Sequence, residues 1–167
     1  MFHEKIIKRE EIIKKILEIR AEHRRIVFTN GCFDIIHIGH VRYLYEAKKL
    51  GDILIVGLNT DRSVSIIKPG RPIISEEQRM EVLASLEMVD YVTLFDEETP
   101  IELIKAIKPD VLVKGADWAI EDIVGREIAK EVYRIPYVEG ISTTSIIEKI
   151  VRHWSIIDGK LHVKGLR

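Results

Sequence analysis

A single cysteine, Cys32, stands among 167 residues. A disulfide within the chain and a cysteine metal cluster are therefore both excluded, and a reducing cytosol is the expected compartment. No apolar run approaches the roughly 20 residues that a membrane-spanning helix needs. Met1-Phe2-His3-Glu4-Lys5 lacks the apolar core of a secretory leader. Charge of one sign is missing as well: 26 lysines and arginines face 27 aspartates and glutamates, for a formal charge of −1. With the signs interspersed, no basic field points to nucleic acid. Repeats, low-complexity tracts and internal linkers are absent, so the length suits one domain with a sizeable core. The expectation is a cytoplasmic protein with neither a membrane nor a nucleic-acid partner.

What is present is an alternation of short apolar runs with helical patterns. Residues 4–23 place Ile6, Ile7, Ile12, Ile13, Ile16, Leu17 and Ile19 among charges at helical spacing. This amphipathic segment packs on the domain or on a partner. Strand candidates follow at Ile26-Val27-Phe28, Ile53–Leu58, Tyr91–Phe95, Asp110–Val113 and Ile135–Val138. Helices are predicted from His37 to Leu50, from Ser75 as N-cap, from Thr99-Pro100 to Lys108, from Glu121 to Arg134, and from Ile146 to His153 behind Ser142-Thr143-Thr144-Ser145. Continuous apolar strands between helices imply an α/β fold: a Rossmann-like, doubly wound parallel sheet of about five strands. The expected division is an N-terminal helix (1–24), the main domain (25–154) and a C-terminal tail (155–167). The helix and the tail are where a homodimer contact is expected. In such sheets ligands sit beyond the carboxyl ends of the strands, where every polar cluster of this chain falls.

The first strand is followed by Thr29-Asn30-Gly31-Cys32-Phe33-Asp34-Ile35-Ile36-His37-Ile38-Gly39-His40. His37 and His40 share a face on the first turn of a helix, whose free backbone N–H groups attract anions. A glycine between them lets a ligand approach the backbone. That arrangement suits a phosphate chain. No G-x-G-x-x-G follows the strand, which counts against a dinucleotide cofactor, and no G-x-x-x-x-G-K-[ST] is present to indicate a P-loop kinase.

Gly31, Phe33, Asp34, His37, Gly39 and His40 match G-x-F-D-x-x-H-x-G-H, and the chain resembles the cytidylyltransferase-like nucleotidyltransferases that carry this signature. Gly57-Leu58-Asn59-Thr60-Asp61, Arg79, Lys114-Gly115-x-Asp117-Trp118 and Ser142-Thr143-Thr144-Ser145 follow in family order, so the resemblance covers about residues 24–153. Phe28–Asp34, Gly70-Arg71-Pro72-Ile73, Pro109–Gly115 and Val138-Glu139-Gly140-x-Ser142-Thr143-Thr144 are most similar to the adenylyltransferase domain of bifunctional heptose-phosphate enzymes. That branch joins ATP to D-glycero-β-D-manno-heptose 1-phosphate, giving ADP-heptose and pyrophosphate for lipopolysaccharide core assembly. Its kinase half is expected on a separate protein. Two departures stand out: Lys68-Pro69 replaces the usual Lys-Gly, and Trp118 replaces the commoner tyrosine.

The resemblance implies nucleotide contacts at Asn30, Gly31, Cys32, Phe33, Asp34, His37, Gly39, His40, Lys114, Gly115, Asp117, Thr144 and Ser145, and substrate contacts at Asn59, Asp61, Arg71, Arg79 and Trp118. Catalysis is expected from His37, His40, Lys68, Thr144 and Ser145, with ATP as substrate and Mg²⁺ bridging its phosphates rather than held by protein ligands. Plainer roles stand beside these. Asp34 suits a local structural role, Asn59 and Asp61 a turn, and Cys32 a small filler rather than a nucleophile. Arg79 either meets a phosphate or pairs in solvent with Glu76 and Glu77. Trp118 either stacks on a base or covers the core edge. The alternatives on the same chemistry are glycerol-phosphate or ethanolamine-phosphate cytidylyltransferase and FAD synthetase. From another class, a nucleotide-binding regulator would bind without releasing pyrophosphate.

Overall fold

The structure, a computed structural model, describes the backbone of residues 2–136, 138–157 and 160–163 and the side chains of 3–136 and 138–154. Strands β1 (Ile26–Gly31), β2 (Ile53–Asn59), β3 (Tyr91–Phe95), β4 (Val111–Gly115) and β5 (Glu131–Ile135) form one parallel sheet in the order β3-β2-β1-β4-β5. Helices α1 (Arg9–Ala21), α2 (Ile38–Lys48), α3 (Asp61–Ile67), α4 (Glu76–Ser85), α5 (Ile101–Ile107) and α6 (Thr143–His153) accompany it, and a hairpin of β6 (Trp154–Ile157) and β7 (Lys160–Val163) follows. The expected Rossmann-like α/β architecture is what the chain adopts.

Every residue of β2 is buried, as a strand covered on both faces requires. Alternation then sorts the side chains. Ile26, Phe28, Ile53, Ile55 and Leu112 join Ile12, Ile16, Leu103 and Ile104 of α1 and α5. Val27, Leu54, Val56, Val111 and Val113 join Leu44, Leu83 and Ala84 of α2 and α4. The same alternation carries Asn30, Asn59 and Lys114, near the strand ends, to the α5 side. The chain walks outward from β1 to β3, then returns to lay β4 beside β1. The loops leaving β1 and β4 diverge there, opening the crevice in which such sheets bind ligands.

The N-terminal segment packs on its own domain. Its predicted helix is broken into a 3₁₀ turn at Phe2–Lys5 and α1, because the Ile7 N–H between them donates to the Val92 carbonyl (2.9 Å), attaching the segment to the edge of the sheet. Ile12, Ile16 and Ile19 are buried, while Ile13 and Leu17 face solvent. His23, at φ 56°, ends α1: its N–H donates to Arg20 O and that of Arg24 to Ile19 O. That pair of bonds satisfies the last helical carbonyls.

Three further sequence expectations change. The helix predicted over 121–134 is a 3₁₀ turn at Ile120–Asp122, followed by turns and then β5. Gly125 sits at φ +84°, and a β-carbon there would lie 2.7 Å from Ile104 of α5, so the backbone itself packs on the core. The last strand is therefore residues 131–135 rather than 135–138, of which Tyr137 lies outside the described residues. Its edge position tolerates Glu131 and Arg134, and Pro136, with no N–H to donate, ends it. Finally, α3 was not anticipated; the Thr60 hydroxyl caps it by accepting from Ser63 N (3.1 Å). Among the described residues no helix is long and apolar enough to cross a membrane.

Candidate active site

A cleft of about 620 Å³ opens at the carboxyl ends of β1, β2 and β4, a size that accommodates a small organic ligand. Its two sides are built differently.

One side is the start of α2. His37 is the N-cap, and its Nδ1 accepts from Gly39 N (3.1 Å); His40 Nδ1 accepts more weakly from His37 N (3.4 Å). An imidazole that accepts at Nδ1 carries its proton on Nε2. Both rings are thus set as neutral Nε2–H donors. They stack at 3.9 Å between centroids, and Phe33 flanks His40 at 5.4 Å. Burial lowers the His37 pKa. Burial, then His37, then Lys68 lower that of His40 to about 4. Gly39 is required by space, since a β-carbon would lie 2.9 Å from the His37 ring. Phe33, at φ 42°, holds a left-handed backbone, which costs of order 1–3 kcal/mol in a bulky residue. Its ring lies where a side chain on Gly31 would go. Ser142, Thr143 and Thr144 bring the start of α6 to this cleft, and the Thr143 hydroxyl donates to Ile35 O (3.5 Å). Two helix N-termini thus converge on the cleft, both favourable to anions.

The loops of this side are tied from below. Asp34, 2% exposed, accepts from the N–H groups of Ile73 and Ile74 (both 2.9 Å) and pairs with Arg71. Burial alone would raise its pKa; the two N–H groups and the guanidinium outweigh that and hold the carboxyl below its usual range. Arg79, 1% exposed, donates to Ile74 O (2.9 Å), Cys32 O (2.6 Å) and Asn59 O (2.9 Å), and pairs with Asp61 (2.7 Å). It joins the loops after β1 and β2 to α4.

The other side lies above α5. Lys114 Nζ donates to Asn30 Oδ1 (2.5 Å) and stands 5.7 Å from the centre of the Trp118 ring. Burial pulls its pKa down to about 8, against the upward pull of Asp117 and Cys32. Asn59 donates to the Ser63 hydroxyl (2.9 Å). Glu98, Thr99 and Pro100 before α5, with Val124, complete the wall.

Most of the residues singled out from the sequence meet here. Asn30, Gly31, Cys32, Phe33, Asp34, His37, Gly39, His40, Asn59, Lys68, Arg71, Lys114, Gly115, Asp117, Trp118 and Thr144 all line the cleft. Three do not. Arg79 is neither phosphate-facing nor a solvated partner of Glu76 and Glu77, because its donors are spent on buried carbonyls and Asp61. Asp61 is turned to Arg79 and is not among the lining residues. Ser145 is also absent from the lining: its hydroxyl accepts from Ser142 N (2.9 Å) and its N–H donates to Ser142 Oγ (3.0 Å), closing a capping box. The run Ser142-Thr143-Thr144-Ser145 signalled a helix cap, and it is Ser142 that takes the cap position. The wall also includes Tyr43, Thr99, Val124 and Ile141, which no local pattern singles out. Among the described residues no group of three or more His, Cys, Asp or Glu is placed to hold a metal ion.

The sequence profile of a family described as cytidylyltransferase-like matches residues 28–149. Among curated proteins, the bifunctional protein HldE of Nitratiruptor sp. is 57% identical over 141 residues, 84% of this chain and 30% of that protein. The HldE of Wolinella succinogenes is 55% identical over 148 residues, 88% of this chain and 31% of that one. A solved lipopolysaccharide core biosynthesis protein from Thermoplasma volcanium GSS1 is 31% identical with a TM-score of 0.61, the match covering 70% of this chain and 99% of that one. The chain thus spans about 30% of the length of the curated relatives it matches.

Proposed function

The chain belongs to the cytidylyltransferase-like family, and on that premise we propose that it is a nucleotidyltransferase joining ATP to a sugar 1-phosphate, D-glycero-β-D-manno-heptose 1-phosphate, with release of pyrophosphate. The observation that carries the chemistry is the pair of stacked, neutral Nε2–H imidazoles at one helix start, with a second helix start at the same cleft. The heptose acceptor is supported by the likeness to the HldE proteins and to the lipopolysaccharide core biosynthesis protein. The product would be ADP-heptose for lipopolysaccharide assembly, made in the cytoplasm, where ATP is available. A homodimer, if formed, would use the outer face of α1, where Ile13 and Leu17 are exposed.

An oxygen of the acceptor phosphate attacks the α-phosphorus of ATP. As that bond forms, the bond from the α-phosphorus to the bridging oxygen breaks, and its electron pair leaves with pyrophosphate. The reaction asks the protein for position and charge stabilisation rather than covalent chemistry. His37 and His40 donate to the triphosphate as charge builds on its oxygens, which preorganised donors in a half-buried site do without reorganising. Lys68, close enough to depress the His40 pKa, adds positive charge on the same side. Thr144 and the start of α6 receive the departing phosphates. Magnesium, entering with the phosphates, would supply further charge neutralisation. Asp34 and Arg71 hold the loop and Arg79 braces it.

The direct test is pyrophosphate release with ATP or CTP paired with heptose 1-phosphate, glycerol 3-phosphate, ethanolamine phosphate or FMN. Turnover is expected with ATP and heptose 1-phosphate. Turnover confined to CTP and glycerol 3-phosphate would overturn the substrate, and nucleotide binding without pyrophosphate release in any pairing would overturn the enzyme.

A further inference from the structure

In-line displacement sets the attacking and departing oxygens on opposite sides of the reacting phosphorus. A cleft serving it needs anion-holding groups on two sides. The histidine side has the imidazole pair, Lys68 and the start of α6. Among the described residues the α5 side of the cleft has one cation, the half-buried Lys114. Asn30 and Lys114 are the penultimate residues of neighbouring strands β1 and β4, on rigid backbone at the switch point rather than on a mobile loop.

Two arginines nearby are neutralised, Arg71 in the cleft wall by Asp34 and Arg79, outside the lining, by Asp61. Lys114 differs. Among the described residues it has no ion pair; its recorded contacts are the neutral carbonyl of Asn30 and the Trp118 ring, with the exposed Asp117 acting from a distance. Even a half-buried charge without a counter-ion pays part of its desolvation cost. A ligand that brings the counter-charge recovers that cost.

Resting on the nucleotidyltransferase reading, we propose that Lys114, oriented by Asn30, is the seat of the acceptor's phosphate. Its ammonium receives the phosphate monoester whose oxygen attacks, with the rest of the acceptor directed toward Trp118 and Thr99. Lys68 and the histidines are left to the triphosphate. The resemblance groups Lys114 with the nucleotide contacts; the placement of the two sides moves it to the acceptor.

The test uses the full chain and the variants Lys114→Met and Asn30→Ala. Each is saturated with α,β-methylene ATP, and orthophosphate is titrated as the minimal acceptor probe by phosphorus NMR. The wild type is expected to bind orthophosphate. Lys114→Met should weaken this by roughly 30-fold, the order expected for a charge-assisted contact, while affinity for the analogue stays within about threefold. Retained analogue binding also reports an intact fold. Asn30→Ala, with an intact but unanchored ammonium, should fall between, and it carries the test if Lys114→Met does not fold. In turnover the same variants should raise KM for the acceptor rather than for ATP. Unchanged orthophosphate binding in both variants, loss of the analogue instead, or no orthophosphate binding by the wild type overturns the assignment. Absence of turnover with every sugar 1-phosphate would overturn the heptose reading, while the orthophosphate comparison would still decide Lys114.

Discussion

The two sides of the cleft are assembled by different means. On the α2 side the functional groups lie within a few residues of one another, and one helix start orients them: His37 caps, Gly39 clears space, His40 stacks. On the α5 side Asn30, Asn59 and Lys114 come from three strands. Alternation along each strand and the order of the sheet bring them together. A local motif tolerates small shifts of the sheet because it moves as one piece. A site drawn from three strands depends on their register.

The largest disruption should come from beneath the α2 side. Arg79→Met would leave the carbonyls of Cys32, Asn59 and Ile74 without their buried donor, a loss of at least about 3 kcal/mol, out of a total of about 5–15 kcal/mol. Urea or thermal denaturation reads it directly, and a wild-type midpoint would remove Arg79 as the strut. Next is His40→Ala, which should lower kcat by roughly 10²- to 10³-fold, as loss of a preorganised donor does, while nucleotide affinity changes far less. Wild-type kcat in this variant would sink the histidine assignment.

Gly39→Ala sharpens the comparison. The added carbon meets the His37 ring, so kcat should drop by about 10-fold or more through misplacement, without any change in orthophosphate affinity on the α5 side. Parallel losses on both sides would show that the sides are not separable. The smallest expected effect is on acid stability. His40 titrates at about 4 in the folded protein against about 6.5 when unfolded. Between those values the unfolded chain binds more protons, so stability is full above pH 6.5 and declines as pH falls toward 4. Asp34, also depressed, adds its own loss only below its unfolded value of about 3.9. His40→Gln should therefore flatten the midpoint-against-pH curve between 4 and 6.5, and an unaltered slope there would contradict the burial of a neutral imidazole.

Legibility in the sequence followed the same division. The His37–His40 pair, its strand and its helix are neighbours in the chain, so spacing alone placed them. Arg79 was misread because two of the three carbonyls it satisfies belong to residues 20 and 47 positions away, and adjacent acids on a helix suggested a surface pair. The segment 121–134 carries charges and apolar residues at spacing compatible with a helix. Only the packing of Gly125 on Ile104 and the pairing of β5 with β4 decide against one.

By itself, the sequence determined the class of fold, the gathering of polar residues at the strand ends and the histidine pair at a helix start. These depend on periodicity, turn chemistry and capping, all of which act over a few residues. Only the tertiary structure decided which cations are spent and which are available. Arg71 and Arg79 are neutralised by acids 37 and 18 positions distant, and the half-buried Lys114 meets Asn30, 84 positions away, with no acid paired to it among the described residues. Burial and partnership set what a charge can do, and both are properties of the folded arrangement rather than of the residue.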